Sequence, residues 1–209
     1  AMQARALAGL LLLRCSYGAA APAGGGPRAH VEFAVMSKCP DALACVRAFA
    51  PTLRELGPAV DVSFTFIGRA GDKCMHGDAE CSGNKQQLCA QSMANGNVTR
   101  LLDFVSCAAG TYWDIPGNGQ KCSEQAHIDW HELETCAGGE RGSELMHASM
   151  QSARARDIFV SCTLLVDREK FCLHNGIWEF CTYCRQDEQK GDCLRRRICE
   201  TASCEGLRA

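Results

Sequence analysis

The pattern of hydrophobic and polar positions predicts a strand, a helix and a second strand near the start of the chain. Residues 31–35 and 60–66 alternate between apolar and polar side chains, as half-buried strands do. Between them, apolar residues recur at helical spacing from Pro40 onward, and we expect this helix to be broken or kinked near Pro51 and closed at Gly57. A unit of this length forms a right-handed crossover between two parallel strands.

Two more strands are predicted in the second half of the chain. Residues 157–166 and 170–174 are mainly apolar, and a short polar turn at 167–169 joins them, which is typical of an antiparallel hairpin. The four strands together predict an α/β domain with a four-stranded mixed sheet.

The segment between these halves, residues 71–156, is predicted to be helical and is rich in cysteine. Apolar residues recur three and four positions apart in 79–94, 98–109, 123–136 and 143–153. Asn-Gly and Gly-Gly pairs separate some of these stretches. A helical insertion at this point would cover one side of the sheet and could overhang the junction between the first strand and the first helix.

Cys39 lies at that junction, directly before Pro40. Proline suits the first helical position, so Cys39 is expected at or beside the helix N-cap. Unpaired backbone N–H groups and the positive end of the helix dipole favour a thiolate there, and Lys38 adds a positive charge. A strand, a cysteine and a helix in this order are typical of a thioredoxin-like redox site. The residue three places on is Ala42 rather than a second cysteine, and the next cysteine is Cys45.

The cysteine content favours an oxidising compartment. The 209 residues include 16 cysteines spread along the chain, a composition that predicts a disulfide framework in a secreted or lumenal protein. Residues 1–28 fit a secretory leader, because Arg5 precedes an apolar run and small residues follow it; a disordered tail is the alternative. Removing the leader would also remove Cys15 and leave an odd number of cysteines. At least one free thiol is therefore expected, and Cys39 is the best candidate.

The remaining composition narrows the class of protein. The formal net charge of −2 gives no reason to expect a nucleic-acid partner. No later stretch has the roughly 18 consecutive apolar residues of a membrane span. Asn97-Val98-Thr99 matches a glycosylation acceptor. We therefore expect a glycoprotein that is secreted or resident in a lumen of the secretory pathway, with a domain at 29–180 and a cysteine-rich tail at 181–209.

A specific motif in the insertion resembles a known family. Cys74-Met75-His76-Gly77 followed by Glu80-Cys81, Asn84 and Cys89 is similar to the CxHGxxECxxN…C element of the gamma-interferon-inducible lysosomal thiol reductase family. A second block, Cys136 to Gly142 with residues 145–148, resembles the same family's downstream helix. Cys107 and Cys122 lie in the expected order between the two blocks. The resemblance extends over residues 31–166.

The resemblance implies a thioredoxin-like fold with a helical insertion. It also implies an enzyme that reduces protein disulfides, best in acidic compartments, which adds a lysosomal or vacuolar lumen to the expected locations. By this resemblance Cys39 is the attacking cysteine, Ala42 stands at the position of the resolving cysteine, and Ser161 stands at the position of a cis proline. The cysteines of both blocks are expected to form structural disulfides. His76 and Glu80 are expected to be hydrogen-bonded parts of the scaffold.

The candidate catalytic residues are Cys39, Cys162 and Cys45. Six residues along a helix rise roughly 9 Å, which is too far for a disulfide between Cys39 and Cys45 while the helix is intact. Cys162 follows Ser161 on the strand expected beside Cys39, so it could resolve a mixed disulfide or lock Cys39 in a permanent one. A third possibility is that Cys39 works alone and that glutathione or another small thiol completes the cycle.

No metal site or cofactor is expected. His127 and His131 are four residues apart in the predicted helix at 123–136, but no third ligand is evident. In the tail, Cys181-Thr182-Tyr183-Cys184 is followed by three more cysteines. Structural disulfides, a zinc knuckle and a second redox pair are all compatible with this pattern, and disulfides fit an oxidising compartment best.

The sequence is compatible with two functions. The first is a thiol–disulfide oxidoreductase that acts on disulfide-containing protein substrates through Cys39. The second is a redox-inactive, disulfide-rich binding or structural protein on the same scaffold, which Ala42 and Ser161 favour.

Overall fold

The computed structural model describes residues 27–202 and 204, and they form a mixed sheet flanked by helices. The strands are β1 (Ala29–Val35), β2 (Val60–Phe66), β3 (Thr163–Val166), β4 (Glu169–His174) and β5 (Trp178–Glu179). The helices are α1 (Pro40–Leu56), α2 (Asp78–Ala94), α3 (Val98–Gly110), α4 (Gly119–Gln125), α5 (Trp130–Gly138), α6 (Glu140–Ala155) and α7 (Lys190–Cys199). The predicted leader and Cys15 lie outside the described residues, apart from positions 27 and 28.

The sheet has the strand order β2-β1-β3-β4-β5. β1 and β2 are parallel, with Ala29 opposite Val60, and α1 makes the crossover between them. The other neighbours are antiparallel. This arrangement confirms the predicted mixed α/β sheet, and the two-residue strand β5 adds a fifth strand to the four that were expected.

The predicted strand at 157–166 is correct only at its end, because β3 begins at Thr163. The preceding residues finish α6 instead: Ile158 donates its N–H to the Ala153 carbonyl, and Asp157 has a positive φ of 54°. Phe159 is then 57% exposed. The apolar pattern of this segment therefore does not reflect a buried strand along its whole length.

Two helix predictions need a correction. α1 is not broken at Pro51 but continues to Leu56, and it ends at Gly57 as expected. The single helix expected at 123–136 is two helices, α4 and α5, since Asp129 starts a new helix by accepting a hydrogen bond from the Glu132 N–H at 2.9 Å. His127 lies between the two helices with a positive φ of 55°, so His127 and His131 do not share a helix face.

The helical insertion covers the outer edge of the sheet. Gln91 of α2 accepts the Phe64 N–H through Oε1 at 2.6 Å, and Ser149 of α6 accepts the Phe66 N–H through Oγ at 2.7 Å. Edge strands expose such unpaired N–H groups unless something covers them. The insertion therefore caps the free side of β2.

α7 belongs to the core and packs against α1. Leu194 and Ile198 are fully buried, as is Cys193. Gly191 approaches Thr52 of α1 so closely that an added Cβ would lie 2.5 Å from the Thr52 Oγ1. No helix within residues 27–202 combines the length and the apolar character that crossing a membrane requires.

Candidate active site

Cys39 occupies the predicted junction between β1 and α1. It is the N-cap residue of α1, with extended φ and ψ of −89° and 130°. Its N–H donates to the Met36 carbonyl at 3.0 Å, and its own carbonyl accepts the Ala42 N–H at 3.1 Å. Among the residues that the structure describes, Cys39 is the one free cysteine. The expectations of a free thiol and of a strand-to-helix setting are confirmed.

The thiol lies in a largely enclosed place, with the residue 9% exposed. Its Sγ lies 3.5 Å from the Asp41 Oδ2 and 4.0 Å from the Ser161 carbonyl oxygen. Burial raises the pKa of the Cys39 thiol, and the negative charge of Asp41 acts in the same direction. Hydrogen bonds from the backbone of Asp41 and Ala42 and from Ser161 favour the thiolate, but they do not outweigh burial.

The expected lowering of the Cys39 pKa was therefore wrong, and the position of Lys38 explains part of the difference. The Lys38 Nζ donates to two carbonyl oxygens of the insertion, those of Trp113 and Ile115, each at 2.9 Å. Its charge is directed at these carbonyls and is not among the groups that shift the Cys39 pKa.

Asp41 and His174 form a second layer beside the thiol. The Asp41 Oδ1 receives hydrogen bonds from the His174 Nδ1 at 2.6 Å and from the Gly176 N–H at 2.8 Å. The His174 ring stands perpendicular to the Trp178 ring, with 4.7 Å between the centroids. The carboxylate is thus fixed with one oxygen on the histidine and the other facing Cys39. Sequence reasoning missed both residues, because Asp41 resembles an ordinary acidic residue in a first helical turn and His174 lies 133 positions away.

Cys162 and Cys45 are bonded to each other and not to Cys39. Their Cα atoms are 6.4 Å apart, and both residues are fully buried. The disulfide ties α1 to the residue that precedes β3. A permanent Cys39–Cys162 bond is thereby contradicted, and neither sulfur is available to resolve a mixed disulfide while this bond is intact.

The expected position of Ser161 also needs a correction. A cis peptide bond joins Ser161 to Cys162, so the second residue of the cis pair is Cys162. Ser161 instead contacts the Cys39 loop directly, because its Oγ accepts the Met36 N–H at 2.9 Å. It is nearly buried, at 6% exposure.

The insertion contacts the same loop from α2, as the sequence predicted. The Ser37 N–H donates to the Asn84 Oδ1 at 3.2 Å, and the Ser37 Oγ donates to the Glu80 carbonyl at 3.2 Å. Gly83 allows this approach, since an added Cβ would lie 2.1 Å from the Ile115 Cγ2 and 3.0 Å from the Ser37 Oγ. The position of the Cys39 loop therefore depends on the insertion.

Glu80 organises the cysteine motif that precedes α2. It is fully buried, and its Oε1 accepts the N–H groups of Met75 and His76 at 3.0 and 3.4 Å. Its Oε2 lies 2.5 Å from the His76 Nδ1. The Cys74–Cys81 disulfide closes the same loop. His76 and Glu80 are hydrogen-bonded scaffold, as predicted.

The other cysteines of the two family blocks and of the tail are also paired. Cys89–Cys136 and Cys107–Cys122 lie within the insertion. The tail contributes three more disulfides: Cys172–Cys181, Cys184–Cys193 and Cys199–Cys204. The tail was compatible with structural disulfides, a zinc knuckle or a second redox pair, and the observed pairing agrees with structural disulfides.

Part of the chain matches a family model. Residues 30–126 match the model of the family described as gamma interferon inducible lysosomal thiol reductase. GILT-like protein 1 of Drosophila melanogaster is 27% identical over 159 residues, which cover 65% of this chain and 64% of that protein. A gamma-interferon-inducible lysosomal thiol reductase-like protein of Anopheles gambiae is 26% identical over 131 residues, covering 53% and 54%. The chain thus aligns with less than two thirds of the length of these curated relatives.

Solved structures of bacterial proteins share this architecture. DsbA from Mycobacterium tuberculosis superposes with a TM-score of 0.57 at 15% identity, over 87% of this chain and 86% of that one. BdbD from Bacillus subtilis gives a TM-score of 0.55 at 12% identity, over 83% and 86%. These similarities confirm the thioredoxin-like fold.

Proposed function

We propose that the chain is a member of the gamma interferon inducible lysosomal thiol reductase family, whose model matches residues 30–126, and that it reduces protein disulfides through a single cysteine, Cys39. The observation that carries the proposal is the free Cys39 at the start of α1, beside a Cys45–Cys162 pair whose sulfurs are already used. If another cysteine of the chain resolved the mixed disulfide between Cys39 and the substrate, a second free thiol would have to lie next to Cys39. If an external thiol resolves it, Cys39 is the only cysteine that the reaction needs.

The reaction proceeds by two exchanges after the initial attack. The Cys39 thiol loses its proton to a solvent base, and the thiolate attacks one sulfur of the substrate disulfide. The new bond joins Cys39 to that sulfur, while the other substrate sulfur leaves as a thiolate and is protonated. One molecule of a small thiol such as glutathione then displaces the substrate and becomes bonded to Cys39. A second molecule restores the Cys39 thiol and leaves as oxidised small thiol, so that two small thiols reduce one disulfide.

The surroundings of Cys39 assign roles to the neighbouring groups. The backbone N–H groups of Asp41 and Ala42 stabilise the thiolate as it forms. The Asp41 carboxylate opposes ionisation, and its bond to His174 holds it in place. Because the thiolate is the attacking form and burial raises the pKa of the Cys39 thiol, we expect the rate of attack to fall as the pH falls. The seven disulfides of the described chain are compatible with a secretory, extracellular or lysosomal lumen.

The test is reduction of insulin or of a model disulfide with glutathione supplied. We expect activity in the wild type and its loss in Cys39→Ser. The double variant Cys199→Ser/Cys204→Ser is the matched control, because it removes two sulfurs from the end of α7 and leaves Cys39 in place. Equal rates in the wild type and in Cys39→Ser would refute the proposal.

A second function is favoured by the burial of Cys39 and by the raised pKa of its thiol: a redox-inactive protein that binds through the same scaffold. Alkylation of the native protein with iodoacetamide separates the two functions. The enzyme requires that Cys39 react without denaturant. A Cys39 that is modified only after unfolding would favour the binding protein.

A further inference from the structure

The CxxC segment of the tail forms a compact turn between two disulfides. The Cys184 N–H donates to the Cys181 carbonyl at 3.0 Å, which closes the turn. Cys181 is bonded to Cys172 on β4, and Cys184 is bonded to Cys193 on α7. The sulfurs of Cys172, Cys181 and Cys184 all lie within 4.8 Å of one another. Two disulfides from separate elements therefore meet at one turn. A small side-chain movement would bring the Cys184 sulfur close enough to the Cys172–Cys181 bond for thiol–disulfide exchange.

Burial differs between the two halves of each disulfide. Cys172 and Cys193 are fully buried. Cys181 and Cys184 are partly exposed. An external thiol therefore reaches the two sulfurs of the CxxC turn first, and the sulfur that leaves in either case lies in the interior.

The turn has supports that do not depend on its disulfides. The Tyr183 ring is stacked on Phe171 with 5.9 Å between the centroids, and Arg197 lies 5.2 Å above the same ring. The Tyr183 carbonyl accepts a hydrogen bond from the Arg196 Nη2 at 2.6 Å. Arg196 also binds Glu188 at 2.9 Å. These contacts hold the turn between β4 and α7 when either disulfide opens.

We propose that Cys181 and Cys184 form a second redox centre, independent of Cys39, that exchanges disulfides with Cys172 and Cys193. An external thiolate attacks the Cys184 sulfur, and the Cys184–Cys193 bond breaks as Cys193 leaves and takes up a proton. A second external thiol releases Cys184 as a thiolate and departs as an external disulfide. The Cys184 thiolate then attacks the Cys181 sulfur, the Cys172–Cys181 bond breaks, and Cys172 leaves and is protonated.

The net change is the reduction of one disulfide by two external thiols, and the remaining disulfide moves to Cys181–Cys184. The products are a partly exposed CxxC disulfide and two buried thiols at Cys172 and Cys193. The new disulfide can accept electrons from a further external thiol, as the Cys184–Cys193 bond did before it.

Two variants that each retain three of the four cysteines test the exchange without added reductant. In Cys193→Ser the free thiol is Cys184, beside the Cys172–Cys181 bond; in Cys184→Ser it is Cys193. Each protein is quenched in acid, alkylated in denaturant and digested with trypsin, which cuts after Lys170 and Arg185. Cys172, Cys181 and Cys184 are then in one peptide, and fragmentation locates the alkylated cysteine.

We expect the Cys193→Ser protein to carry label at Cys172 as well as at Cys184, and the Cys184→Ser protein to carry label at Cys193 alone. Label confined to Cys184 in Cys193→Ser would overturn the proposal. Label at Cys172 in Cys184→Ser would also overturn it, because the attacking thiol would then be Cys193. Both variants are made with Cys39→Ser as well, so that the outcome does not depend on whether Cys39 is an active thiol.

Titration of the wild type with one equivalent of dithiothreitol gives a result even if a variant does not fold. The expected product has Cys172 and Cys193 alkylated and no link between their peptides. A product with Cys184 and Cys193 alkylated and the Cys172–Cys181 bond retained would exclude the exchange.

Discussion

Removing the Cys45–Cys162 disulfide should cost more stability than removing any short disulfide of this protein. The bond joins residues 117 positions apart. The Cys74–Cys81 and Cys89–Cys136 bonds lie inside this loop and shorten the path through the chain. An effective loop of about 65 residues corresponds to about 4 kcal/mol of chain entropy that the disulfide removes from the unfolded state.

The perturbation is the double substitution Cys45→Ala/Cys162→Ala, which creates no new unpaired thiol, since both partners of the bond are removed. The matched control is Cys199→Ala/Cys204→Ala, whose bond spans 5 positions and corresponds to about 2 kcal/mol by the same relation. The assay is equilibrium unfolding in urea, followed by tryptophan fluorescence. A loss of about 4 kcal/mol lowers the urea midpoint by roughly 2 M for a typical slope.

Equal losses in the two variants would refute the reasoning. It would also fail if the Cys45→Ala/Cys162→Ala protein lost less than the control, because loop length would then not be the source of the stabilisation. Cys45 and Cys162 are fully buried, so the loss of two sulfurs from the core adds to the expected cost.

Three further predictions concern charged groups. Arg156→Met should destabilise the protein by about 3 kcal/mol at neutral pH, because it leaves the buried Glu32 carboxylate without its partner, and Glu32→Gln/Arg156→Met should recover part of the loss in urea unfolding. Burial raises the pKa of Glu32, but its hydrogen bonds to Arg156 and Thr65 outweigh burial and hold the pKa below the ordinary value of 4.5, so the Glu32 carboxylate stabilises the fold above pH 4.5. This contribution to stability should be lost as the pH falls through the lowered pKa of the folded protein. Glu32→Gln should show no such loss. Asp41→Asn should raise the rate of Cys39 alkylation by iodoacetamide at pH 7 roughly threefold or more, because it removes a charge that opposes the thiolate; an unchanged rate would mean that access to the thiol is limiting.

The periodicity of apolar residues correctly predicted the strands and the helix that position Cys39. It was less reliable where a helix-capping side chain interrupts the pattern. The spacing of apolar residues placed β1, α1 and β2, and with them the Cys39 junction. It failed at α4 and α5, because the side chain of Asp129 begins a new helix inside an apolar pattern that continues across the break.

The site was less predictable than the fold, since it depends on contacts between distant segments. Nothing in the local sequence indicates that Cys162 is bonded to Cys45, or that His174 reaches Asp41. The pKa of Cys39 also depends on how deeply the thiol is enclosed. The helix N-terminus and Lys38 were the only visible influences, and both indicated the opposite direction of shift.

The cover over the outer edge of β2 limits how this protein can associate with others. A strand from another molecule could pair with Phe64 and Phe66 only by displacing Gln91 and Ser149 from their amides. β5, at the opposite edge, is two residues long and gives an incoming peptide little main chain to bind. We therefore expect that fibrous polymers built by strand addition are disfavoured. If the proposed reductase activity holds, its substrates should be recognised by side chains and loops near Cys39 and not by strand pairing.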